Sequence, residues 1–338
     1  MAGTGTVYRF RPVLKERPWG GHRLATLLGR RAPVEKRFGE SWELFSFGDA
    51  ASELARPTPN RRTLRDLIVH GDVRVDANGQ PAGTFPLLFK WLDADSNLSV
   101  QVHPPDGHPL LPAGQFGKTE CWVVLAAEPG SKVFVGLKQN CCSGELLELA
   151  RSGEIAGYLQ DYDVKPGDAF FIPAGTVHAL GAGVTVAEVQ QASDVTFRLY
   201  DWNRIDPATG RPRELHLEQA VACTCHGGGK RVEPIPSLVT EAIRVERLLG
   251  AGECHAFELH RIRAGSAATV RLTGNWLVWM VLDGETVLST GRSVELLTRG
   301  DTVLVTGPGE YLLQPAPEGV TLLQTTPAAS CTPYWAAR

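Results

Sequence analysis

No run of about 18 consecutive apolar residues occurs in this 338-residue chain, so no helix in it is expected to span a membrane. Residues 1–21 lack the apolar core of a secretory leader, and no signal peptide is expected. A basic field is missing as well. Against 37 acidic residues stand 34 Lys and Arg, a formal net charge of −3, and no stripe of cations interleaves with aromatics, so nucleic acid is not an expected partner. Nor is there a disulfide framework. The seven cysteines are odd in number and scattered, and some, such as Cys121 and Cys254, lie inside apolar strand-like segments. That usage suits reduced thiols in a cytoplasm.

What is present is an ordinary globular composition, 43% hydrophobic and 21% charged, with length for one large core or two moderate ones. The 36 glycines and 23 prolines favour turns and short strands over long helices. Weak helical patterns are confined to residues 24–28, 61–69, 143–150 (with Ser143 as cap) and 215–223. Gly227-Gly228-Gly229 through Pro236 has no periodic pattern and is the best domain boundary, and short strands with regular turns follow it.

The chemistry concentrates in residues 99–120. Ser99-Val100-Gln101-Val102-His103-Pro104 alternates polar and apolar side chains, which is the period of a half-buried strand. Gln101 and His103 then share one face while Val100 and Val102 share the other. Gly117-Lys118-Thr119-Glu120-Cys121-Trp122 alternates in the same way and pairs Lys118 with Glu120. If the two strands pair, an amide oxygen, an imidazole, a carboxylate and an ammonium meet on one concave surface, a coordination shell short of one ligand.

Gly167, Pro173, Gly175 and His178 resemble the second signature of a cupin barrel, and Gln101-Val102-His103 followed by Glu120 resembles a modified first signature. A closer likeness runs in order from about residue 7 to residue 220. It rests on Trp19-Gly20-Gly21, Gly39-Glu40-Ser41-Trp42-Glu43, Leu98 to Pro104, Gly117 to Glu120, Pro173 to Ala179, Gln190 to Asp194, Phe197 to Trp202 and Pro212 to His216. Taken together these motifs resemble type I phosphomannose isomerases.

The resemblance implies a zinc-dependent aldose–ketose isomerase that interconverts mannose 6-phosphate and fructose 6-phosphate through an enediol. It puts the metal ligands on Gln101, His103, Glu120 and His178, a set that holds one Zn2+ per chain and tolerates other divalent ions. It puts the catalytic arginine on Arg198, a guanidinium that stays charged and can hold an enediolate oxygen. Lys118, beside Glu120, suits substrate oxygens or phosphate. Glu188 and Asp194 are the acidic candidates for the proton that moves between C1 and C2. Cys223-Thr224-Cys225-His226 is spaced too tightly for an ordinary structural zinc clip, and His255 and His260 lack a glycine-rich cupin frame.

The expected architecture is mainly β: two cupin-type barrels with a few helices. Residues 1–225 form the metal-binding catalytic domain, 226–236 a linker and 237–338 a degenerate second barrel. The expected partner is a small sugar phosphate, and the expected assembly a monomer or homodimer. Two alternatives stay open, an isomerase of another or unphosphorylated sugar and a non-catalytic sugar-binding bicupin.

Overall fold

Short alternating strands cannot bury both faces alone, and in the computed structural model they assemble into antiparallel sheets around apolar cores. The structure describes residues 5–75, 82–112, 114–139, 141–207, 209–225, 227–291, 293–328 and 333–337. Contacts divide the chain into two units, one formed by Val13–Trp42 with Leu87–Val232 and the other by Met1–Pro12, Glu43–Pro86 and Glu233–Arg338.

The first unit is a two-sheet roll. Its seven-stranded sheet runs, edge to edge, Lys230–Val232, Ala169–Ile172, Glu120–Ala127, Val184–Gln191, Leu87–Ala94, Val13–Gly21 and Phe38–Leu44. Its five-stranded sheet runs Leu159–Asp163, Lys132–Leu137, His178–Leu180, Val100–Val102 and Phe197–Tyr200. Leu92, Trp122, Val124, Phe170, Val184 and Val186 of the first sheet meet Val133, Val135 and Leu180 of the second in a dry core. Alternation turns the neighbouring residues the other way. Val100, Val102, Ala179 and Leu199 pack outward under the helices Ser143–Ser152, Ile155–Tyr158 and Leu217–Cys223, through Leu146, Leu149, Ile155 and Ala220.

Three details differ from the sequence reading. The Val100–Val102 and Glu120–Ala127 strands do not pair. They belong to different sheets, so the convergence of their polar faces takes place across the interior of the roll. Lys118 precedes its strand, which opens at Glu120. The helix expected to start with Ser143 as its cap has Cys142 there instead, its Sγ accepting from Glu145 N at 3.5 Å.

In the second unit a ten-stranded sheet is built on the long strands Trp276–Ser289 and Gly309–Pro327, around Ile262, Trp279, Val281, Leu322 and Trp335. Thr6–Arg9 joins it as an edge strand, Thr6 in register with Thr306, and the helix Leu64–Val69 is closed by a capping box of Thr63 and Asp66. The grouping therefore interleaves along the chain, unlike the contiguous division expected, because the pairing of residue 6 with residue 306 leaves no local trace in sequence. The last crossing between the units, at Val232 and Glu233, falls within the expected linker, whose residue 226 lies outside the described residues.

His260 lies inside this second sheet system, 4% exposed, with no hydrogen-bond partner at Nδ1. Burial, assisted by the Arg247 charge, pushes its pKa down from 6.5 to about 4. Its folded pKa is below its unfolded one, so the neutral ring contributes stability that is complete above the unfolded value and lost as pH falls through about 4. Urea midpoints at pH 7 and pH 4 are expected to differ less in a His260→Gln variant than in the wild type, once both are referred to about pH 7. Equal differences would remove His260 from the acid response.

Candidate metal centre and active site

The site is assembled from the polar faces that alternation leaves pointing into the roll. Val100–Val102 lies between two neighbours in the five-stranded sheet, with Gln101 opposite His178 on one side and opposite Arg198 on the other. Directly opposed residues share a face, so these three side chains form one row. His103 follows immediately, and Gly175 N donates to its carbonyl at 2.8 Å. From the facing sheet comes Glu120, in register with Ile172 and Gln190.

The segment leading to Glu120 is pinned by its backbone. Lys118 N donates to Pro104 O (3.1 Å), Gly117 N to Asp106 Oδ1 (2.6 Å) and Thr119 N to Gln191 Oε1 (2.9 Å), while Gln191 Nε2 donates to Asp106 Oδ2 (2.9 Å). Gly117 is needed for closeness: a Cβ there would sit 2.4 Å from Asp106 N and 2.6 Å from the Pro105 carbonyl carbon.

His103, Glu120 and His178 are at most 1% exposed, and their ligand atoms all lie within 4.8 Å of one another. His178 Nε2 is 3.3 Å from Glu120 Oε1, and His103 Nε2 is 3.6 Å from Oε2. Each imidazole is oriented from behind. Nδ1–H of His103 donates to Val195 O at 3.0 Å and that of His178 to Thr176 O at 2.8 Å, an assignment that follows because a carbonyl can only accept. Both Nε2 lone pairs therefore face the carboxylate.

Both Glu120 oxygens are buried without a hydrogen bond. Lys118 Nζ lies 3.2 Å from Oε2 and 3.1 Å from His103 Nε2. Burial alone would raise the Glu120 pKa, but Lys118 and the two histidines outweigh it and hold the carboxyl well below its usual range. Burial and the Lys118 charge push His103 well down, so its ring is neutral. Two imidazoles with their Nδ1 atoms tied back, one of them held neutral, and an ionised carboxylate without a hydrogen bond are the donor types of a divalent-ion site. Gln101 Nε2 sits 3.2 Å from His178 Nε2 and donates to its lone pair, and turning the amide over places Oε1 in that position.

Deeper in the roll, Trp122 Nε1 donates to Glu188 Oε2 at 2.8 Å, and Lys90 Nζ lies 3.1 Å from Glu188 Oε1. The Trp122 ring meets the His178 ring edge-on at 5.5 Å. Glu188 is thus one alternation below Glu120 on the same inner face. Arg198 is half-buried; its Nε is buried without a partner, and no carboxylate is within 4 Å of its guanidinium among the described residues. Burial and the Arg213 charge lower its pKa. Arg213, by contrast, is clamped by Asp201 through Nε–Oδ2 at 2.8 Å. A cavity of about 620 Å3 adjoins Arg198, bordered also by Thr209, Arg211, Arg213 and Glu214. Asp194 is exposed, close enough for its charge to act on Arg198, Lys90 and Arg17.

Comparison with known proteins agrees with this geometry. The model of the type I phosphomannose isomerase catalytic domain matches residues 7–113. Mannose-6-phosphate isomerase ManA of Bacillus subtilis (strain 168) is 36% identical over 311 residues, 90% of this chain and 95% of that protein. The chain belongs to the mannose-6-phosphate isomerase family. The crystal structure of the Bacillus subtilis mannose 6-phosphate isomerase superposes with a TM-score of 0.81 at 28% identity, covering 96% of this chain and all of that one. A zinc-bound holo mannose 6-phosphate isomerase shares the fold at a TM-score of 0.71 and 17% identity, covering 95% of this chain and 99% of its own.

Sequence reasoning about this family member missed Lys90 and Glu40. Glu40 and Glu43, on the strand Phe38–Leu44, are both buried, 8% and 4% exposed. The available signal was a charged residue sharing a strand face with apolar ones, above all Lys90 with Leu88 and Leu92 in an otherwise apolar run. Cys223 Sγ lies 3.7 Å from His108 Nδ1, and His226 of the tight Cys-Thr-Cys-His run lies outside the described residues.

Gly117→Ala is expected to destabilise the fold by about 2 kcal/mol through forced backbone displacement, read as a lowered urea midpoint at unchanged slope. An unchanged midpoint would show that the Pro104–Asp106 approach is slack.

Proposed function

We propose that this chain is a zinc-dependent mannose-6-phosphate isomerase, acting in the cytoplasm on a sugar phosphate as a monomer or homodimer. The observation that carries the reading is the Glu120 carboxylate, wholly buried, without a hydrogen bond, and flanked by two imidazoles whose Nδ1 atoms are tied away from it. A polar cluster of this kind costs stability unless an ion completes it. His103, Glu120, His178 and Gln101, with its amide turned, would hold the metal. When bound, zinc supplies a positive charge that stabilises oxygen anions developing at C1 and C2.

The remaining roles fall to side chains. Arg198, a half-buried cation without a paired carboxylate, holds a substrate oxygen as it gains charge. The open groove beside it, which none of the proposed metal ligands lines, has room for the phosphate end of a sugar. Lys118 offers a second cation at the edge of the ligand cluster, where the phosphate or a substrate hydroxyl is neutralised. Glu188, fixed by Trp122 and Lys90, takes the C2 proton and returns it to C1, and the exposed Asp194 assists at the mouth. None of the six described cysteines is in a disulfide, which fits a reducing compartment.

A coupled assay for fructose 6-phosphate formation, with and without a chelator and beside free mannose, tests the reading. Turnover is expected to require the phosphate and to stop on chelation. His178→Ala is expected to lose metal and activity together, and Arg198→Ala to keep the metal while kcat falls about 100-fold or more. Full activity in metal-depleted protein would sink the metal assignment, a near-wild-type Arg198→Ala would remove the arginine, and turnover confined to free mannose would move the substrate.

A further inference from the structure

A chain of alternating charge lies under the site and ends on Glu188, and its far members, Arg17 and Glu40, have no part in the steps above. Arg17 Nε donates to Glu40 Oε1 and Trp42 Nε1 donates to Glu40 Oε2, both at 2.6 Å. Lys90 Nζ lies 5.2 Å from the Trp42 ring centroid, with Lys15 Nζ 5.0 Å from the same ring. Lys90 Nζ is then 3.1 Å from Glu188 Oε1. The order is guanidinium, carboxylate, ammonium, carboxylate. Glu40, Lys90 and Glu188 are at most 8% exposed. Burial opposes every one of these charges. Against it, Lys90 and Arg17 hold Glu40 down to about 2, and Glu188 followed by Glu40 holds Lys90 above its ordinary value.

The flanking carboxylates favour the charged form of Lys90, which places it as a cation and not as the proton carrier. Its consequence is geometric. An ammonium pulled by one carboxylate only would follow that carboxylate. One that also rests on the ring of Trp42, whose indole N–H is held by Glu40, and that feels the Glu40 charge from beyond ion-pair distance, has a fixed position from which to hold Glu188. Glu40 does not reach the interior cluster of His103, Glu120 and His178, yet its two oxygens are taken by Arg17 and Trp42, so its place is set independently of the site.

We infer that Glu40 is a positioning residue for the isomerase reaction: clamped by Arg17 and Trp42, it anchors the Lys90 ammonium, and Lys90 holds Glu188 in place for proton transfer. The inference rests on the reading that Glu188 carries the proton.

The test is a double-mutant cycle on metal-loaded full-length protein, with kcat, KM, metal content and melting temperature measured for Glu40→Ala, Glu40→Gln, Glu188→Asp and the combinations, and for Glu188→Gln alone. Both Glu40 variants are expected to lower kcat about tenfold with KM within about twofold and metal content unchanged. Glu40→Gln keeps an acceptor for Trp42 but no charge, and carries the test if Glu40→Ala does not fold. In the Glu188→Asp background, where the carboxylate is already drawn back by one methylene, either Glu40 change is expected to cost less than about twofold more. A purely structural Glu40 would lower the melting temperature and multiply its effect on kcat in both backgrounds; that result, or a wild-type kcat in Glu40→Gln, overturns the inference. A wild-type kcat in Glu188→Asp and in Glu188→Gln would instead overturn the role of Glu188, and the inference with it.

Discussion

The burial of one carboxylate constrains everything around it. Glu120 is fully enclosed and receives no hydrogen bond, so its charge is tolerable only because positive or polarisable groups surround it. Two imidazoles present lone pairs to it only if their other nitrogens are engaged, and the carbonyls of Val195 and Thr176 do that. Those carbonyls belong to the segments on either side of the Val184–Gln191 strand and its neighbour, so the geometry of the cluster is set by backbone that has no chemistry of its own. Lys118 adds the nearest formal cation.

The same interior is graded. One end of the two-sheet roll is filled by Val184, Val186, Val124 and Leu92 and is dry. Two residues further along each strand the inward positions turn to Glu188, Trp122 and Lys90, and two further to Gln190 and Glu120. A strand buried on both faces normally reads as continuous apolar sequence; here the charged positions are bought by pairing each one with an opposite charge or an indole N–H. The apolar end supplies the stability against which this polar end can be maintained. Rigid packing beneath also means that side chains of the site are held by sheets, not loops, apart from the stretch from Pro104 to Thr119 that hydrogen bonds to Asp106 and Gln191 tie down.

Legibility in the sequence was uneven, for a physical reason. Strand alternation is local, so the shared face of Gln101 and His103, the opposite turn of Val100 and Val102, and the helical pattern from residue 143 were all readable from adjacent residues. Motif likeness added His178 and Arg198, which the register then sets in one row with Gln101. Lys90 and Glu40 were not readable. Each looks like an ordinary charged residue until Trp42, Arg17 and Glu188 are brought around it from segments separated by many residues.

The sequence by itself determined the class of the fold, short strands with frequent turns, and the chemical types gathered for the site. Periodicity and residue chemistry are properties of neighbours along the chain. Only the tertiary structure decided that the two polar strand faces meet across the roll and not side by side, and that the N-terminal strand completes a sheet made mostly of residues near the other end. It alone set a second layer of buried charge behind the first. Pairing between distant segments is chosen by the burial of whole faces, a sum over many residues that no local pattern records.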